Sequence, residues 1–232
     1  MEKHQLMIES IPAFLWGEKT GKLFIAVHGD RSHKRDSDIT ILADEAVKKG
    51  YQVLSFDLPE NGERERETYP CNPWNAVKDL HKILDYAHRI TDDISLYGCS
   101  IGAYFSMLAY QCEDIKQTIF LSPVVDMERI IENMMKWFDI SEEKLRQEKE
   151  IETPIKTLYW DYYQYVREHS VKWNKPIAIL YGSQDNLCEI EYVKRFAEQA
   201  QANLTILEDG EHYFHTEKQL DYFRYWLESS IV

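Results

Sequence analysis

Short apolar segments alternate with helical patterns along most of the chain. The segments rich in β-branched and aromatic residues, which we predict to be buried strands, span residues 23–27, 53–56, 94–97, 118–121, 177–181 and 204–207. Helical stretches lie between them, and the clearest one, residues 73–89, follows Asn72, a favoured helix N-cap, and begins with Pro73. A repeated strand-then-helix pattern predicts an α/β fold whose mostly parallel central sheet is covered by helices on both faces.

One interval of the chain, approximately residues 124–174, departs from this alternation. It contains charged and aromatic helical sequence, such as MERIIENMMKWF, and no convincing strand. We interpret it as a helical cap inserted into one domain, because a chain of 232 residues can bury a single core without dividing. Most aromatic residues of the cap are predicted to form its interior, with one or two lining an apolar pocket. These residues are Trp137, Phe138, Tyr159, Trp160, Tyr162 and Tyr163.

Charge and cysteine content exclude several classes of protein. A formal net charge of -13 argues against binding to nucleic acid or anionic lipid, since both need clustered Lys and Arg. Residues 1–20 carry acidic side chains and lack the apolar core of a signal peptide, and no run of about 18 apolar residues predicts a membrane span. The cysteines show neither CxxC pairs nor metal-ligand spacing. We therefore expect no disulfide framework, metal or cofactor, and a cytoplasmic location.

The segment ISLYGCSIGAYFSMLAY, residues 94–110, carries the clearest chemical signal. An apolar strand leads into GCSIG, and a helix with small residues at its start follows, which is the context that a GxSxG nucleophile requires. The sharp turn exposes the serine hydroxyl, and the glycines allow neighbouring backbone to approach closely. The helix N-terminus favours developing negative charge. We therefore predict that Ser100 is a nucleophile and that Cys99 is a packing residue.

Two further segments, KLFIAVHGDRSHK and GYQVLSFDLPENGER, contain an HG loop after an early strand and a strand ending in DxPxxG. Together with the GxSxG segment they resemble the α/β-hydrolase superfamily over nearly the whole chain. The resemblance implies that the residue after HG and the residue after the nucleophile, here Asp30 and Ile101, donate backbone N–H groups to an oxyanion. A structural role is predicted for His28, which precedes the serine and so does not fit the chain order of a triad base.

A serine hydroxyl needs a base, and the base works best when a carboxylate fixes its tautomer. The chain order to look for is serine, acid, histidine. Asp185 follows the strand PIAILYG, in the kind of loop where the superfamily commonly places its acid. An Asx turn after Gly182 is the structural alternative for this residue. Asp126 is the competing acid, because some relatives place the carboxylate one strand earlier.

The base is expected in the loop after the last strand, where LTILEDGEHYFHTEKQL contains two histidines. His212 follows Gly210 and Glu211 in a short loop, as in relatives with a GxxH-like pattern. His215 adjoins Thr216, the predicted N-cap of the last helix, and is the alternative base or a pocket residue. We therefore predict His212 as the base.

A triad of Ser100, Asp185 and His212 predicts a serine hydrolase, carboxylesterase-like, that cleaves an ester or related acyl bond of a small molecule through an acyl-enzyme. A thioesterase or peptidase would use the same triad. The alternative from another class is a non-catalytic binding or regulatory protein that keeps the fold. The apolar cap and the negative charge favour neutral, moderately hydrophobic esters over acyl-CoA thioesters. The sequence makes no prediction of oligomeric state.

Overall fold

A central β-sheet organises the molecule. Residues 2–232, the part of the chain that the computed structural model describes, form the strands β1 (Lys3–Ile8), β2 (Ile11–Trp16), β3 (Leu23–Val27), β4 (Gln52–Phe56), β5 (Ile94–Cys99), β6 (Thr118–Leu121), β7 (Glu150–Ile151), β8 (Leu158–Tyr159), β9 (Ile177–Gly182) and β10 (Asn203–Leu207). Within these residues, eight strands form one sheet in the order β1-β2-β4-β3-β5-β6-β9-β10. Every pairing from β4 to β10 is parallel, which confirms the predicted mostly parallel sheet.

Helices cover both faces of this sheet, as predicted. They are α1 (Ser37–Lys48), α2 (Pro73–His88), α3 (Ile101–Tyr110), α4 (Met127–Trp137), α5 (Glu142–Glu148), α6 (Trp160–Glu168), α7 (Ile190–Ala200) and α8 (Glu217–Ser230). Successive side chains of a strand point to opposite faces, so β3 contributes to two cores. Its residues Ile25 and Val27 pack in the core that includes α2, α3 and α7. Phe24 and Ala26 pack in the other core, with α1 and α8.

The N-terminal hairpin of β1 and β2 is not among the strands that the sequence patterns predict. The two strands pair antiparallel, with Lys3 opposite Trp16 and Ile8 opposite Ile11, and β2 continues antiparallel onto β4. The outer strand β1 is largely exposed and carries polar side chains. A solvated edge strand of this kind has little apolar signal in its sequence.

No helix within residues 2–232 combines the length and the apolar character needed to cross a membrane.

The parallel strands bring the predicted site residues to one edge of the sheet. Asp30 follows β3, Ser100 follows β5, Asp185 follows β9 and His212 follows β10. Because the carboxyl ends of parallel strands all meet at the same edge, residues far apart in sequence approach one another there.

Residues 124–174, predicted to be a cap and called the cap segment below, contain α4, α5 and α6, and α4 packs against α6. The expectation that this interval has no strand was wrong at one point, because β7 and β8 pair antiparallel, with Ile151 opposite Leu158. Each of these strands has only two residues, too few for a period-two pattern to show in the sequence. Their connection lies beside the loop after β3, where Arg31 Nη2 donates to Ile155 O at 3.0 Å.

Candidate active site

Ser100 lies on a strained turn between β5 and α3. Its φ of 51° and ψ of -121° belong to a region that residues with a side chain rarely adopt. The turn is tight because Gly102 packs directly against the loop after β3, and a Cβ at this position would lie 2.3 Å from His28 O. A Cβ at Gly98 would likewise lie 2.7 Å from Ala103 Cα. Only glycines allow this close approach of backbone, which accounts for the GxSxG pattern.

Ser100, His212 and Asp185 form a continuous hydrogen-bonded chain. Ser100 Oγ lies 2.8 Å from His212 Nε2, and His212 Nδ1 lies 2.7 Å from Asp185 Oδ2. The other carboxylate oxygen of Asp185 accepts from the backbone N–H groups of Leu187 at 2.8 Å and Cys188 at 3.0 Å. The Asp185 side chain is completely buried, so its orientation is fixed. With Nδ1–H donating to the carboxylate, Nε2 is free to accept the serine proton.

The loops that carry Asp185 and His212 are held together by their backbones. Gln184 N donates to Gly210 O at 2.7 Å, and Ser183 N donates to Leu207 O at 2.9 Å. Gly182 lies so close to the second loop that a Cβ would be 2.4 Å from Gly210 C. This contact between the ends of β9 and β10 fixes the distance between the carboxylate and the imidazole.

The two alternative residues lie outside this chain of hydrogen bonds. Asp126 caps the N-terminus of α4, where its Oδ1 accepts from Arg129 N at 2.9 Å. His215 is half exposed, stacks on Tyr213 and has Nδ1 2.9 Å from the carbonyl of the same residue. The structure therefore brings His212 and Asp185, rather than these two residues, to Ser100.

The loop after β3 lies against the serine turn. A Cβ at Gly29 would be 3.3 Å from Ser100 Cβ. The residues just before Asp30 and Ile101, the predicted oxyanion donors, therefore lie close together. Ile101 is the first residue of α3, where a backbone N–H has no acceptor within the helix. The Asp30 carboxylate does not point to a backbone donor but pairs with Lys156 Nζ of the cap segment, 3.0 Å away.

His28 has the structural role that the sequence predicts. It is fully buried, its Nδ1 donates to Gly29 O at 2.6 Å, and its Nε2 accepts from Leu58 N at 3.0 Å. Burial lowers the pKa of His28, so the neutral ring with one donor and one acceptor nitrogen is favoured. The ring thereby ties the HG loop to the strand end of the DxPxxG segment.

A buried acid lies beside the serine turn, and no pattern in the sequence predicts it. Asp38, in the first turn of α1, lines the same cleft as Ser100 and accepts from Tyr97 Oη at 2.8 Å. Burial raises the pKa of Asp38 to about 6. Burial also raises the pKa of the neighbouring Cys99 thiol, with the nearby Asp38 adding to the effect, so the neutral thiol is favoured. No pattern in the sequence marks Asp38, because its environment comes from a distant strand.

Ser100 and His212 open into a cleft of about 1200 Å³. One wall is aliphatic and comes mainly from α4, whose residues Met127, Ile130, Ile131 and Met134 recur on one face. This wall begins at Ser100, because Val124 N donates to Ser100 O at 3.1 Å just before α4 starts. At the rim stand three partly exposed aromatic residues, which are Trp74, Tyr159 and Tyr213.

Of the cap aromatics, Tyr159 and Tyr162 line the cleft. Trp137 is instead half exposed at the surface, and Tyr163 is buried in the core. Phe138 and Trp160 pack against that core from its margin. The expectation that one or two of these residues line a pocket therefore corresponds to this pair, while the larger part of the cap wall is aliphatic. The i, i+3, i+4, i+7 spacing along α4 was the available signal for that wall.

One group of His, Cys and acidic side chains within residues 2–232 has ligand atoms within 4.8 Å of one another, and it consists of Asp185, Cys188 and His212. The Asp185 carboxylate and the His212 imidazole are already hydrogen-bonded to each other. Burial raises the pKa of the Cys188 thiol, which disfavours the thiolate that a metal would need. This donor set therefore fits the hydrogen-bonded chain better than a metal ion.

The protein has the α/β-hydrolase fold. Est1E from Butyrivibrio proteoclasticus, solved with ferulic acid bound, is 22% identical with a TM-score of 0.75, over 98% of this chain and 99% of that one. The Pyrococcus furiosus esterase Pf2001 is 18% identical with a TM-score of 0.67, over 100% and 93%. A thioesterase domain from the curacin biosynthetic pathway is 16% identical with a TM-score of 0.62, over 100% and 99%. At such identities the likeness establishes the fold.

The family is established by sequence. The model described as "Uncharacterised protein family (UPF0227)" matches residues 66–222, more than half of the chain, and the protein belongs to this family. No curated protein matches the chain in sequence.

Proposed function

We propose that the protein is a serine hydrolase that cleaves a carboxylic ester or related acyl bond of a small molecule. The observation that carries this proposal is the hydrogen-bonded chain from Ser100 through His212 to Asp185, at 2.8 and 2.7 Å, which opens into an apolar cleft. A buried carboxylate, an imidazole in the matching tautomer and a serine on a strained turn are the parts that acyl transfer needs.

The proposed chemistry has two halves. His212 Nε2 takes the Ser100 proton as Oγ attacks the carbonyl carbon, and the negative oxygen is held by the N–H groups of Ile101 and Asp30. The tetrahedral intermediate collapses, the C–O bond breaks, and the alcohol leaves with the proton from His212. Water then attacks the acyl-enzyme with His212 again acting as base, which releases the acid and restores Ser100.

The cleft supports neutral, moderately hydrophobic substrates. Its α4 wall is aliphatic, while its polar part contains Asp30, Asp36, Asp38, Glu60 and Asp161 against Arg31 and Lys156. This excess of acidic groups adds to the net charge of -13 and disfavours anionic substrates such as acyl-CoA. We propose that residues 124–174 act as the cap that forms this selectivity.

The cysteines, all within the described chain, are free, which supports a reducing compartment such as the cytoplasm.

Thioester hydrolysis is the second candidate, because the curacin thioesterase domain shares the fold over the full length of both chains. An oxygen ester and a thioester with the same acyl group and an uncharged leaving group discriminate between the two activities. The larger kcat/KM identifies the preferred bond, since the cleft contacts are then nearly the same for both.

Labelling by a fluorophosphonate probe tests the proposed nucleophile. The wild type should be labelled, and Ser100→Ala should not, because an activated hydroxyl attacks phosphorus as it attacks a carbonyl. Ser32→Ala is the matched control, since Ser32 lines the same cleft but donates to Asp36 rather than to a histidine, and it should keep the label. Labelling that persists in Ser100→Ala contradicts the proposal.

A further inference from the structure

The loop after β3 is joined to the cap segment by two contacts of different kinds. Lys156 Nζ lies 3.0 Å from Asp30 Oδ1, and Arg31 Nη2 donates to Ile155 O at 3.0 Å. The first contact is an ion pair, while the second uses a backbone carbonyl and leaves the charge of Arg31 in place. Removal of one contact therefore leaves the other to hold the loop against the cap segment.

Asp30 combines two opposing features. Its backbone N–H is the proposed oxyanion donor, and the same residue lines the cleft and carries a carboxylate that pairs with Lys156. A negative charge on the donor residue itself opposes the negative oxygen that develops in the transition state. A small or apolar residue at this position would avoid this repulsion. With aspartate here, a nearby positive charge is needed to offset it.

We infer that Lys156 is a positioning residue that neutralises Asp30 and so protects the oxyanion hole from the charge of its own donor residue. This inference rests on the proposed function. The ammonium group belongs to the connection between β7 and β8, so the cap segment contributes to the electrostatics of the chemical step as well as to the cleft wall. Lys156 acts through Asp30, because its ammonium group is bound to the Asp30 carboxylate.

The Lys156–Asp30 pair should have a modest effect on the reaction rate, and it should act on the transition state. The side chains of Lys156 and Asp30 are 44% and 38% exposed, so water screens the pair. Exposed ion pairs of this kind change a rate or equilibrium constant by roughly two- to five-fold. Since the oxyanion forms only during reaction, the change should appear in kcat with little change in KM for a neutral ester.

Kinetics on the neutral ester p-nitrophenyl butanoate test the inference with three variants. Lys156→Met leaves the Asp30 carboxylate unpaired and should lower kcat about three-fold. Asp30→Asn leaves the ammonium unpaired and should raise kcat, while the double variant should recover most of the loss caused by Lys156→Met. Added salt should shrink the defect of Lys156→Met, because it screens the unpaired carboxylate.

Lys116→Met is the matched control. Lys116 also pairs with an aspartate, Asp114, and is 46% exposed, but its backbone N–H bonds to Ile94 at the opposite end of β5 from Ser100. Its kcat should equal that of the wild type, and thermal unfolding should show that all variants are folded.

The outcomes separate this inference from the proposed function. If the wild type is labelled by fluorophosphonate and the double variant is as slow as Lys156→Met, the inference is overturned while the proposed function stands. An equal kcat for Lys156→Met and the wild type overturns it in the same way. A wild type that is neither labelled nor active overturns both.

Discussion

Asp185 uses its two carboxylate oxygens for different contacts. Oδ1 accepts from two backbone N–H groups and holds the loop after β9, whereas Oδ2 faces His212. An asparagine can keep the first set of contacts through its carbonyl oxygen but offers an N–H group to the imidazole. The loop is thus preserved while the tautomer of His212 is reversed.

We therefore predict that Asp185→Asn lowers kcat by a factor of about 10³ to 10⁴ in a folded protein. Asp126→Asn is the control, because asparagine is as good an N-cap as aspartate and should keep α4 intact. Ester hydrolysis and thermal unfolding of both variants provide the measurement. A greater loss of activity in Asp126→Asn would show that the acid follows β6.

At this scale, sequence order and local motif were sufficient to select Ser100, Asp185 and His212, which the structure brings into one hydrogen-bonded chain. Two residues could not be selected in this way. Burial raises the pKa of Asp38 in an environment that includes Tyr97, 59 positions away, and Lys156 acquires its partner from a loop 126 positions away. Contacts of this range depend on tertiary packing and leave no periodic pattern in the sequence.

At the scale of the element, α4 presents its aliphatic face to the cleft. The residues from Met127 to Met134 form a row roughly 10 Å long that leads away from Ser100. An acyl group bound along this row would be limited by the side chain at its far end. The sequence marks the apolar face of α4 by its spacing, but the same spacing fits a helix that faces a core.

We predict that Met134→Phe shifts the optimum of a p-nitrophenyl ester series towards shorter acyl chains. Met135→Phe is the matched control, since Met135 is buried next in sequence but does not line the cleft. It should cost about 1–3 kcal/mol of stability through overpacking and leave the optimum unchanged. The kcat/KM values across the ester series show whether the optimum shifts in each variant. An identical shift in both variants would indicate that the acyl group binds along another wall of the cleft.

At the scale of the whole molecule, the strands that pair in parallel were predicted from their composition, and their alternation with helices predicted the layers. The order of the strands in the sheet was not predictable from local patterns, because β3 lies between β4 and β5 and the order depends on which edges meet. The β1–β2 hairpin was not predictable for a simpler reason. Its outer strand is exposed and polar, so it contributes little of the burial that makes strands visible in a sequence.

The pH dependence of stability provides a prediction at this scale. Burial raises the pKa of Asp38 from 3.8 to about 6, so the folded protein holds this proton more tightly than the unfolded chain does. The free energy of unfolding should therefore fall as pH rises from about 4 to about 6 and level off above. Between pH 5 and 8 the free energy of unfolding of the wild type should fall by about 1 kcal/mol more than that of Asp38→Asn, which keeps an acceptor for Tyr97.

Urea unfolding at several pH values measures this difference. Asp221→Asn is the control, because Asp221 is exposed, makes no side-chain hydrogen bond or ion pair within residues 2–232 and should leave the pH profile of the wild type unchanged. Parallel profiles for the wild type and Asp38→Asn would show that Asp38 is ionised in the folded protein throughout this range.

The cap segment leaves the sheet after β6 and returns at β9, and these two strands are direct neighbours, with Thr118 opposite Ile177 and Leu121 opposite Leu180. The pairing of these strands therefore does not require a connection of fixed length, and lengthening such an excursion adds little to the entropic cost of closing it. Much of this segment can therefore vary without altering the hydrogen-bonded chain at the sheet edge, whereas Val124 at its start donates to Ser100 O. Within one family, divergence of substrate preference is thus expected to concentrate between β6 and β9, and transplanting this stretch between relatives is a rational route to chimaeras with new selectivity.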